Sequence, residues 1–277
     1  MPDGGTYRNS LGVCWTDATC PRAMAIGHGG MWDAVNNPYL SNGAMALAYD
    51  GGMDGVKIDV RVSSDNVPVL AHSSPIQLYE SLDCYNDYIE NMTAAQIVQC
   101  HRFPSSTETF QRLDDVLAYL QGKMVVQLTV KRSQDYATVI QDVNAFGAND
   151  FAFFEVLISD LQNELPTIAG WNQVYYMVDL SEVPDGGVGD VPTVLAFDNP
   201  WIFMVEFGPA TTLGTLVTST LHPAGVRAFI YDSGTIVTVQ TQEGYFDEGY
   251  DVVSTNSGAN GVQARIAVNT ARGISPP

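Results

Sequence analysis

Short apolar runs alternate with helix-forming segments along most of this sequence, and that alternation limits the folds open to it. Runs of this kind lie at 23–27, 55–62, 124–130, 151–158, 174–180, 201–207 and 226–232. A short apolar run bounded by turn residues is typical of a buried strand. Continuous apolar strands that alternate with helices indicate parallel β/α packing. About eight strands in a chain of this length predict an α/β fold, a single closed (β/α)8 barrel of the TIM type.

The same segmentation predicts one domain, without an internal repeat or a linker. We expect an irregular N-terminal arm at 1–22, a barrel at 23–270 and a tail at 271–277. The alternation fails once, because a tight turn joins the strand at 55–62 to a strand at 67–71. A loop-rich insertion follows at 73–109, and loops of such length are usually functional or mobile. We expect this insertion to cover the mouth of the barrel as a lid.

Two local signals set further expectations. Asn36-Asn37-Pro38 predicts a helix start, because asparagine caps helices and proline is tolerated in the first turn. The segment 250–254 predicts only a short final strand or return.

The balance of charge excludes two classes of partner. The 277 residues include 31 acidic and 12 basic side chains, which gives a formal net charge of -19. A surface this acidic repels the phosphates of nucleic acids and the anionic lipids of membranes. No apolar run approaches the roughly 18 residues that a membrane-spanning helix needs. The oligomeric state stays open.

The four cysteines form two pairs that are local in sequence. Their even count and loop-like surroundings predict the disulfides Cys14–Cys20 and Cys84–Cys100, with four reduced and buried thiols as the alternative. Cys-x-x-Cys pairs and zinc-finger histidine spacing are absent from the sequence, so a structural zinc site is not expected. The cysteine pairs, the sequon Asn91-Met92-Thr93 and a first residue that looks like a start placed after a removed leader predict a secreted protein.

Titratable residues stand at the ends of three apolar runs. His28 ends the first run, Lys57 and Asp59 lie in the second, and His72 follows the third. The carboxyl ends of parallel strands are where β/α folds place their functional side chains. We therefore expect these four side chains to converge at one mouth of the barrel.

Strand alternation brings further polar side chains to that mouth. Because successive side chains point to opposite faces, Lys57 and Asp59 share one face of their strand, and Thr129 and Lys131 share one face of another. By the same rule, or by closeness in sequence, three more residues are candidates to line the pocket: Glu206, Tyr231 and Trp32.

Two histidines that face each other across a pocket suit displacement at phosphorus. One imidazole accepts a proton from the nucleophile while the other protonates the leaving oxygen. Ammonium groups beside them stabilise charge on the phosphoryl oxygens. His28 and His72 are the predicted acid–base pair. Lys57 and Lys131 are the predicted phosphate-binding cations, and Asp59 orients a histidine or pairs with a lysine.

Three motifs resemble those of a known family. They are Ile26-Gly27-His28-Gly29-Gly30, Asp54-Gly55-Val56-Lys57-Ile58-Asp59 and Val67-Pro68-Val69-Leu70-Ala71-His72. Together they look like the signature of the glycerophosphodiester phosphodiesterases, within the wider phospholipase-C-like phosphodiesterase barrels. Leu128-Thr129-Val130-Lys131 lies where the family has a Glu-x-Lys strand, and 248–256 resembles its closing segment. The resemblance spans most of the chain and implies a barrel that cleaves phosphodiesters with two histidines and a divalent metal.

The sequence departs from this family at the metal ligands. The family binds its metal through a Glu-x-Asp pair, where this sequence has Lys57 and Asp59, and a further acidic ligand is replaced by Thr129. Because hard divalent cations need several oxygen ligands, we expect no metal of the family type. The related bacterial phosphatidylinositol-specific phospholipases are similar in using a basic side chain and no metal at this place.

These inferences predict a secreted phosphodiesterase that acts, without a divalent metal, on a glycerophosphodiester or a phospholipid head group. Direct hydrolysis and internal attack that releases a cyclic phosphate, a lyase reaction, both stay open. Two alternatives also stay open. One is a non-catalytic binding or structural protein on the same barrel, and the other is a metal enzyme with relocated ligands such as Asp59 and Glu206.

Overall fold

A computed structural model of the chain describes residues 14–33, 36–105, 107–183, 185–197, 199–209, 211–234 and 236–274. Within these ranges nine strands form one sheet. They are β1 (Met24–His28), β2 (Gly55–Val62), β3 (Pro68–Leu70), β4 (Val125–Val130), β5 (Ala152–Leu157), β6 (Tyr175–Asp179), β7 (Ile202–Phe207), β8 (Arg227–Asp232) and β9 (Val252–Thr255). Most are rich in β-branched and aromatic residues, which fit a buried pleated surface.

Eight of these strands close into a parallel barrel. Neighbours pair in the order β1, β2, β4, β5, β6, β7, β8 and β9, and β9 pairs with β1. β3 lies outside the barrel, because after the tight turn it pairs antiparallel with β2. The predicted TIM-type barrel is confirmed. Its eighth strand is β9, however, so 250–254 contributes a full barrel strand and 67–71 does not.

Helices cover the outside of the barrel. They are α1 (Asn42–Gly51), α3 (Leu113–Leu120), α4 (Tyr136–Phe146), α5 (Ile158–Asn163), α6 (Val191–Leu195), α7 (Val239–Asp247) and α8 (Gly258–Ala271), while α2 (Ala94–Ile97) lies in the insertion at 73–109. The predicted helix start at Asn36-Asn37-Pro38 is wrong. The Asn37 amide donates to Asp33 instead of capping a helix, and Ser41 is the N-cap of α1, where its hydroxyl accepts from the Ala44 amide at 3.0 Å.

The core has two layers, separated by the barrel wall. Outward-facing strand residues such as Val56 and Ile58 pack against the helices. Inside the barrel, Phe153 and Phe229 pack with Trp15, which is fully buried. Trp15 thus fills the amino-terminal end of the barrel, so the polar side chains collect at the carboxyl end.

The insertion at 73–109 has a small core of its own. Its buried apolar residues pack on Val69 and Ala71, at and just after β3: Ile76, Ile89, Ala94, Ile97 and Cys100. The predicted disulfides Cys14–Cys20 and Cys84–Cys100 are both present, and the second one crosses the insertion. Among the described residues, no helix has the length and apolar character that crossing a membrane requires.

Candidate active site

The carboxyl end of the barrel collects the titratable side chains that the sequence singles out. His28 ends β1, and Lys57 lies on β2 with its side chain in the barrel interior. His72 follows the end of β3 and reaches the same space. The remaining strands contribute polar side chains to this cavity: Gln127, Lys131, Glu155, Asp179, Glu206, Tyr231 and Ser254. One mouth therefore holds two imidazoles, two ammonium groups and several carboxylates.

Two adjoining cavities meet at the histidines. The inner cavity, of about 230 Å³, lies inside the barrel and is lined mainly by charged and polar side chains. The outer cavity, of about 380 Å³, is lined largely by aromatic residues, among them Trp32, Tyr39 and Tyr79. His28 and His72 line both cavities. A molecule that spans the two cavities would place the bond at their boundary beside both imidazoles.

Asp59 is the centre of an ion network beside the inner cavity. Its fully buried carboxylate pairs with Lys57, with Lys131 at 2.6 Å and with the donating Tyr39 hydroxyl at 2.5 Å. Burial raises the pKa of Asp59, but the two ammonium groups outweigh burial and hold it below its ordinary value. Burial opposes the charge on Lys57, yet Asp59 raises the pKa of Lys57. Burial and the neighbouring Lys57 charge lower the pKa of Lys131.

His28 is held by side chains at both ring nitrogens. Its Nδ1 lies 2.8 Å from Oδ1 of Asn256 and 3.1 Å from the Tyr231 hydroxyl. Its Nε2 lies 3.1 Å from the hydroxyl oxygen of Tyr39. Because Tyr39 donates its proton to Asp59, its oxygen is left to accept from His28. Each nitrogen of His28 therefore faces a hydrogen-bond acceptor, and this arrangement can accommodate an imidazolium.

His72 lies in a loop and is only partly buried. Its Nδ1 is 2.8 Å from the Tyr79 hydroxyl and 3.2 Å from Oγ of Ser73, and no hydrogen bond is formed to its Nε2 within the described residues. Burial lowers the pKa of His72. Burial and the Lys57 charge lower the pKa of His28 to about 3. Both imidazoles are therefore mainly neutral near neutral pH in the free protein.

β5, β6 and β7 each contribute a carboxylate to the inner cavity. Ligand oxygens of Glu155, Asp179 and Glu206 lie within 4.8 Å of one another, so among the described residues these carboxylates could hold a metal ion. Gln127 and Thr129 donate to Glu155 at 2.6 Å and 2.7 Å. Burial and the charges of Glu155 and Asp179 raise the pKa of Glu206 well above its ordinary value. A raised pKa favours a neutral carboxyl at this position.

Every residue that the sequence predicts for the site lies at this mouth, with Trp32 in the outer cavity. The mouth also holds side chains that the sequence did not single out: Tyr39, Tyr79, Glu155, Asp179 and Asn256. Glu155 and Asp179 were detectable, because they lie in apolar runs at inward positions, as Glu206 does. Tyr39 and Tyr79 lie in loops, and no strand pattern places a loop residue. Glu206 groups with these two carboxylates rather than with Asp59.

Comparison with known proteins finds the family that the sequence motifs resemble. Residues 37–162 match the glycerophosphoryl diester phosphodiesterase family. This match covers a little under half of the chain. A comparison with curated protein sequences finds no match.

Solved structures of family members share the fold over most of their length. The glycerophosphodiester phosphodiesterase from Agrobacterium tumefaciens str. C58 is 19% identical, with a TM-score of 0.69 over 87% of this chain and 99% of that one. A glycerophosphoryl diester phosphodiesterase from Parabacteroides distasonis ATCC 8503 is 17% identical, with a TM-score of 0.69 over 89% and 87%. An Oleispira antarctica phosphodiesterase, solved in complex with the product sn-glycerol-3-phosphate, is 17% identical, with a TM-score of 0.66 over 90% and 99%.

The metal that the family resemblance implies does not fit the residues at its expected place. Lys57 stands where the family has a glutamate, and its ammonium is paired with Asp59. Thr129 stands in place of the ligand on β4, and its hydroxyl donates to Glu155. A divalent cation beside Asp59 would be repelled by the ammonium groups of Lys57 and Lys131. The Asp59 carboxylate already pairs with both of these groups, and a hard cation needs several oxygen ligands.

Proposed function

We propose that this protein hydrolyses a phosphodiester of the glycerophosphodiester kind, with His28 and His72 as its acid–base pair. The observation that carries the proposal is the position of both imidazoles at the boundary of the inner and outer cavities, with Lys57 and Lys131 in the inner one. The family match and the glycerol phosphate product in the Oleispira relative support this substrate class.

Lys57 and Lys131 would hold the phosphoryl oxygens beside the histidines. Asp59 fixes both ammonium groups by direct ion pairs, so their positions are set before the substrate binds. Preorganised positive charge stabilises the negative charge of the phosphoryl oxygens in the transition state. Lys57 thereby supplies charge where the family holds a metal, and we infer that the reaction needs no divalent cation at that place.

The surroundings of the two imidazoles suggest how the proton transfers are divided. His72 has an Nε2 without a hydrogen bond in the described part of the chain, so it would accept a proton from the attacking water. His28 has acceptors at both nitrogens and would gain a proton when the anionic substrate offsets the Lys57 charge. The water oxygen forms a new bond to phosphorus, the ester P–O bond breaks, and His28 protonates the departing alkoxide through Nε2–H, which exchanges its Tyr39 acceptor for the leaving oxygen.

Glu206 would limit the negative charge of the inner cavity. Its raised pKa favours the neutral form, which can donate a hydrogen bond to a substrate oxygen. If Glu206 ionised, its charge would add to those of Glu155 and Asp179 and oppose the binding of an anion.

We also propose that the protein is secreted. One disulfide lies beside Trp15 at the amino-terminal end of the barrel, and the other crosses the insertion. Disulfides form and persist in oxidising compartments such as the extracellular space.

Hydrolysis of glycerophosphocholine in the presence of EDTA tests the proposal. We expect turnover by the wild type and a loss of kcat/KM of about 10²-fold or more in His28→Ala and in His72→Ala. His222→Ala is the matched control, because His222 pairs with Asp251 beside the amino-terminal disulfide. Loss of turnover in EDTA with recovery in Ca²⁺ or Mn²⁺ would contradict the metal-free reaction. The carboxylates of Glu155, Asp179 and Glu206 would then be the candidate metal ligands.

A non-catalytic binding protein is the second candidate, and the replacement of family metal ligands by Lys57 and Thr129 favours it. This candidate predicts no hydrolysis across a panel of phosphodiesters. It also predicts that His72→Ala leaves the affinity for each diester unchanged.

A further inference from the structure

The outer cavity is apolar, in contrast to the inner one. Besides the two histidines its lining consists of Trp32, Asp33, Pro38, Tyr39, Tyr79, Phe103, Pro104 and Asn256. The aromatic rings pack edge to face, with centroids 6.1 Å apart for Trp32 and Tyr39 and 6.3 Å apart for Tyr39 and His72. A head group made of hydroxyl groups would gain little from such walls. Mostly apolar walls with few polar groups suit an apolar substituent.

The apolar surface continues beyond the outer cavity. Phe103 and Pro104 also line a neighbouring depression of about 280 Å³, together with Leu82 on the apolar side and Asp83, His101 and Ser105 on the polar side. Phe103 and Pro104 thus lie between the two depressions, and the second depression is farther from His28 and His72; we call the two depressions together the trough. A trough of this shape fits an extended chain better than a compact group.

Large apolar side chains are exposed along this trough and elsewhere in the insertion. The exposed residues are Trp32, Leu78, Tyr79, Leu82, Tyr85, Tyr88 and Phe103. All except Trp32 belong to the insertion at 73–109, whose own core and Cys84–Cys100 disulfide support it from below. Exposed apolar side chains concentrated in one segment indicate a binding surface. Tyrosine and tryptophan suit the boundary between an apolar and an aqueous phase.

We propose that the substrate is an amphiphilic phosphodiester that carries an acyl or alkyl chain. Its polar head would lie in the inner cavity, and its chain would run along the trough from Tyr39 past Phe103 to Leu82. The inference rests on the proposed function, because it takes the phosphorus to lie between His28 and His72. Zwitterionic amphiphiles fit best, since a net charge of -19 repels anionic surfaces.

A quaternary ammonium group is the other ligand that aromatic walls accept, since a cation can lie over a ring face within about 6 Å. Asp33 would then supply a nearby negative charge. A compact cation would use only the outer cavity, however, and would leave the depression beside Leu82 and the exposed residues of the insertion without a role. The structure therefore favours a chain, and the cation becomes an outcome of the test.

Binding of hexyl-, octyl- and decylphosphocholine as monomers to the His28→Ala variant tests the chain site without turnover, because these probes are phosphodiesters and the variant lacks one of the two proposed acid–base imidazoles. We expect calorimetric affinity to rise with chain length, by up to about fourfold for each methylene that the trough buries. Leu82→Ser should reduce this rise. The matched control is Ile266→Ser, which removes an exposed aliphatic side chain from α8, and it should keep the rise unchanged.

Turnover separates this inference from the proposed function. We expect kcat/KM for a lysophosphatidylcholine to exceed that for glycerophosphocholine by about tenfold or more, and Leu82→Ser to lower this ratio. Hydrolysis of glycerophosphocholine together with chain-independent affinities overturns the chain site and leaves the proposed function intact. Chain-dependent binding without hydrolysis of either substrate supports the chain site and contradicts the proposed function. Displacement of the probe by choline, with no effect of chain length, assigns the outer cavity to a quaternary ammonium group and overturns the inference.

Discussion

At the scale of single residues, the electrostatics of the mouth depend on a lysine and an aspartate two positions apart on β2. Lys57 and Asp59 are almost fully buried, and Lys131 shares the same carboxylate. A buried charge without its partner is strongly destabilising, so these three groups hold one another in place. Because burial and the same ammonium groups lower the pKa of His28, the protonation state of its imidazole depends on this network.

The first prediction concerns stability in acid. The pKa of His28 is lowered to about 3, so below its ordinary pKa of 6.5 the folded state binds fewer protons than the unfolded state. Stability is therefore lost as the pH falls from that value toward about 3. When the pH is lowered from about 7 to about 4.5, His28 should account for a loss of roughly 2–3 kcal/mol in the free energy of unfolding.

Urea unfolding of the wild type and of His28→Gln at both pH values checks this prediction. The variant has no imidazole to protonate at this position, so its stability should fall less with acid than that of the wild type. An equal fall in the two proteins would show that His28 titrates normally in the folded state.

The second prediction concerns Glu206 and activity in base. Because the pKa of Glu206 is raised, the neutral form persists above the ordinary range and ionises only as the pH increases. Ionisation adds a negative charge beside Glu155 and Asp179, so kcat/KM for an anionic diester should decrease with increasing pH. Glu206→Gln keeps a neutral group of the same shape and should remove this decrease. A pH–rate profile that is the same in both proteins would refute this role.

At the scale of secondary structure elements, the strands are predictable and α8 is not. Strands β1, β2 and β4 to β8 follow apolar runs, so the pattern predicts them within a residue or two. α8 has no clear apolar stripe, because it buries Arg265 and Asn269. Arg265 pairs with Asp54 at 2.6 Å, and Asn269 exchanges hydrogen bonds with the backbone of Ala23. Such partners lie far away in sequence, so a local pattern does not reveal them.

The third prediction concerns the insertion and its disulfide. Cys84 and Cys100 are 16 residues apart, and removal of a disulfide of this span typically costs about 2–4 kcal/mol. We expect the double variant Cys84→Ser/Cys100→Ser to loosen the insertion and to increase its rate of proteolytic cleavage. Activity should also fall when the insertion loosens, because the insertion supplies Tyr79, whose hydroxyl lies beside His72.

Limited proteolysis followed by mass spectrometry locates the cuts in that variant. The matched control is Cys14→Ser/Cys20→Ser, which removes the disulfide beside Trp15 at the other end of the barrel. Cuts within 73–109 should increase only in the first variant. Equal protection of this segment in both variants would show that its own apolar core suffices.

At the scale of the whole molecule, the barrel explains why a sequence pattern finds most of the inner cavity. Parallel strands end at one mouth, so His28, Lys57 and Lys131 meet once the strands are recognised. No comparable rule predicts from the sequence which residues line the outer cavity. Tyr39 and Phe103 reach it from a loop and from the insertion, whose positions depend on tertiary packing. The chemistry of the site is therefore readable from the sequence, whereas the apolar trough requires the fold.

The most direct test of the account is turnover of glycerophosphocholine in EDTA by the wild type, His28→Ala and His72→Ala, followed by ³¹P NMR of the products. We expect a phosphomonoester signal from the wild type and a reduction of about 10²-fold or more in each variant. Wild-type turnover that either variant retains in full would contradict the central claim that both imidazoles act on one phosphorus.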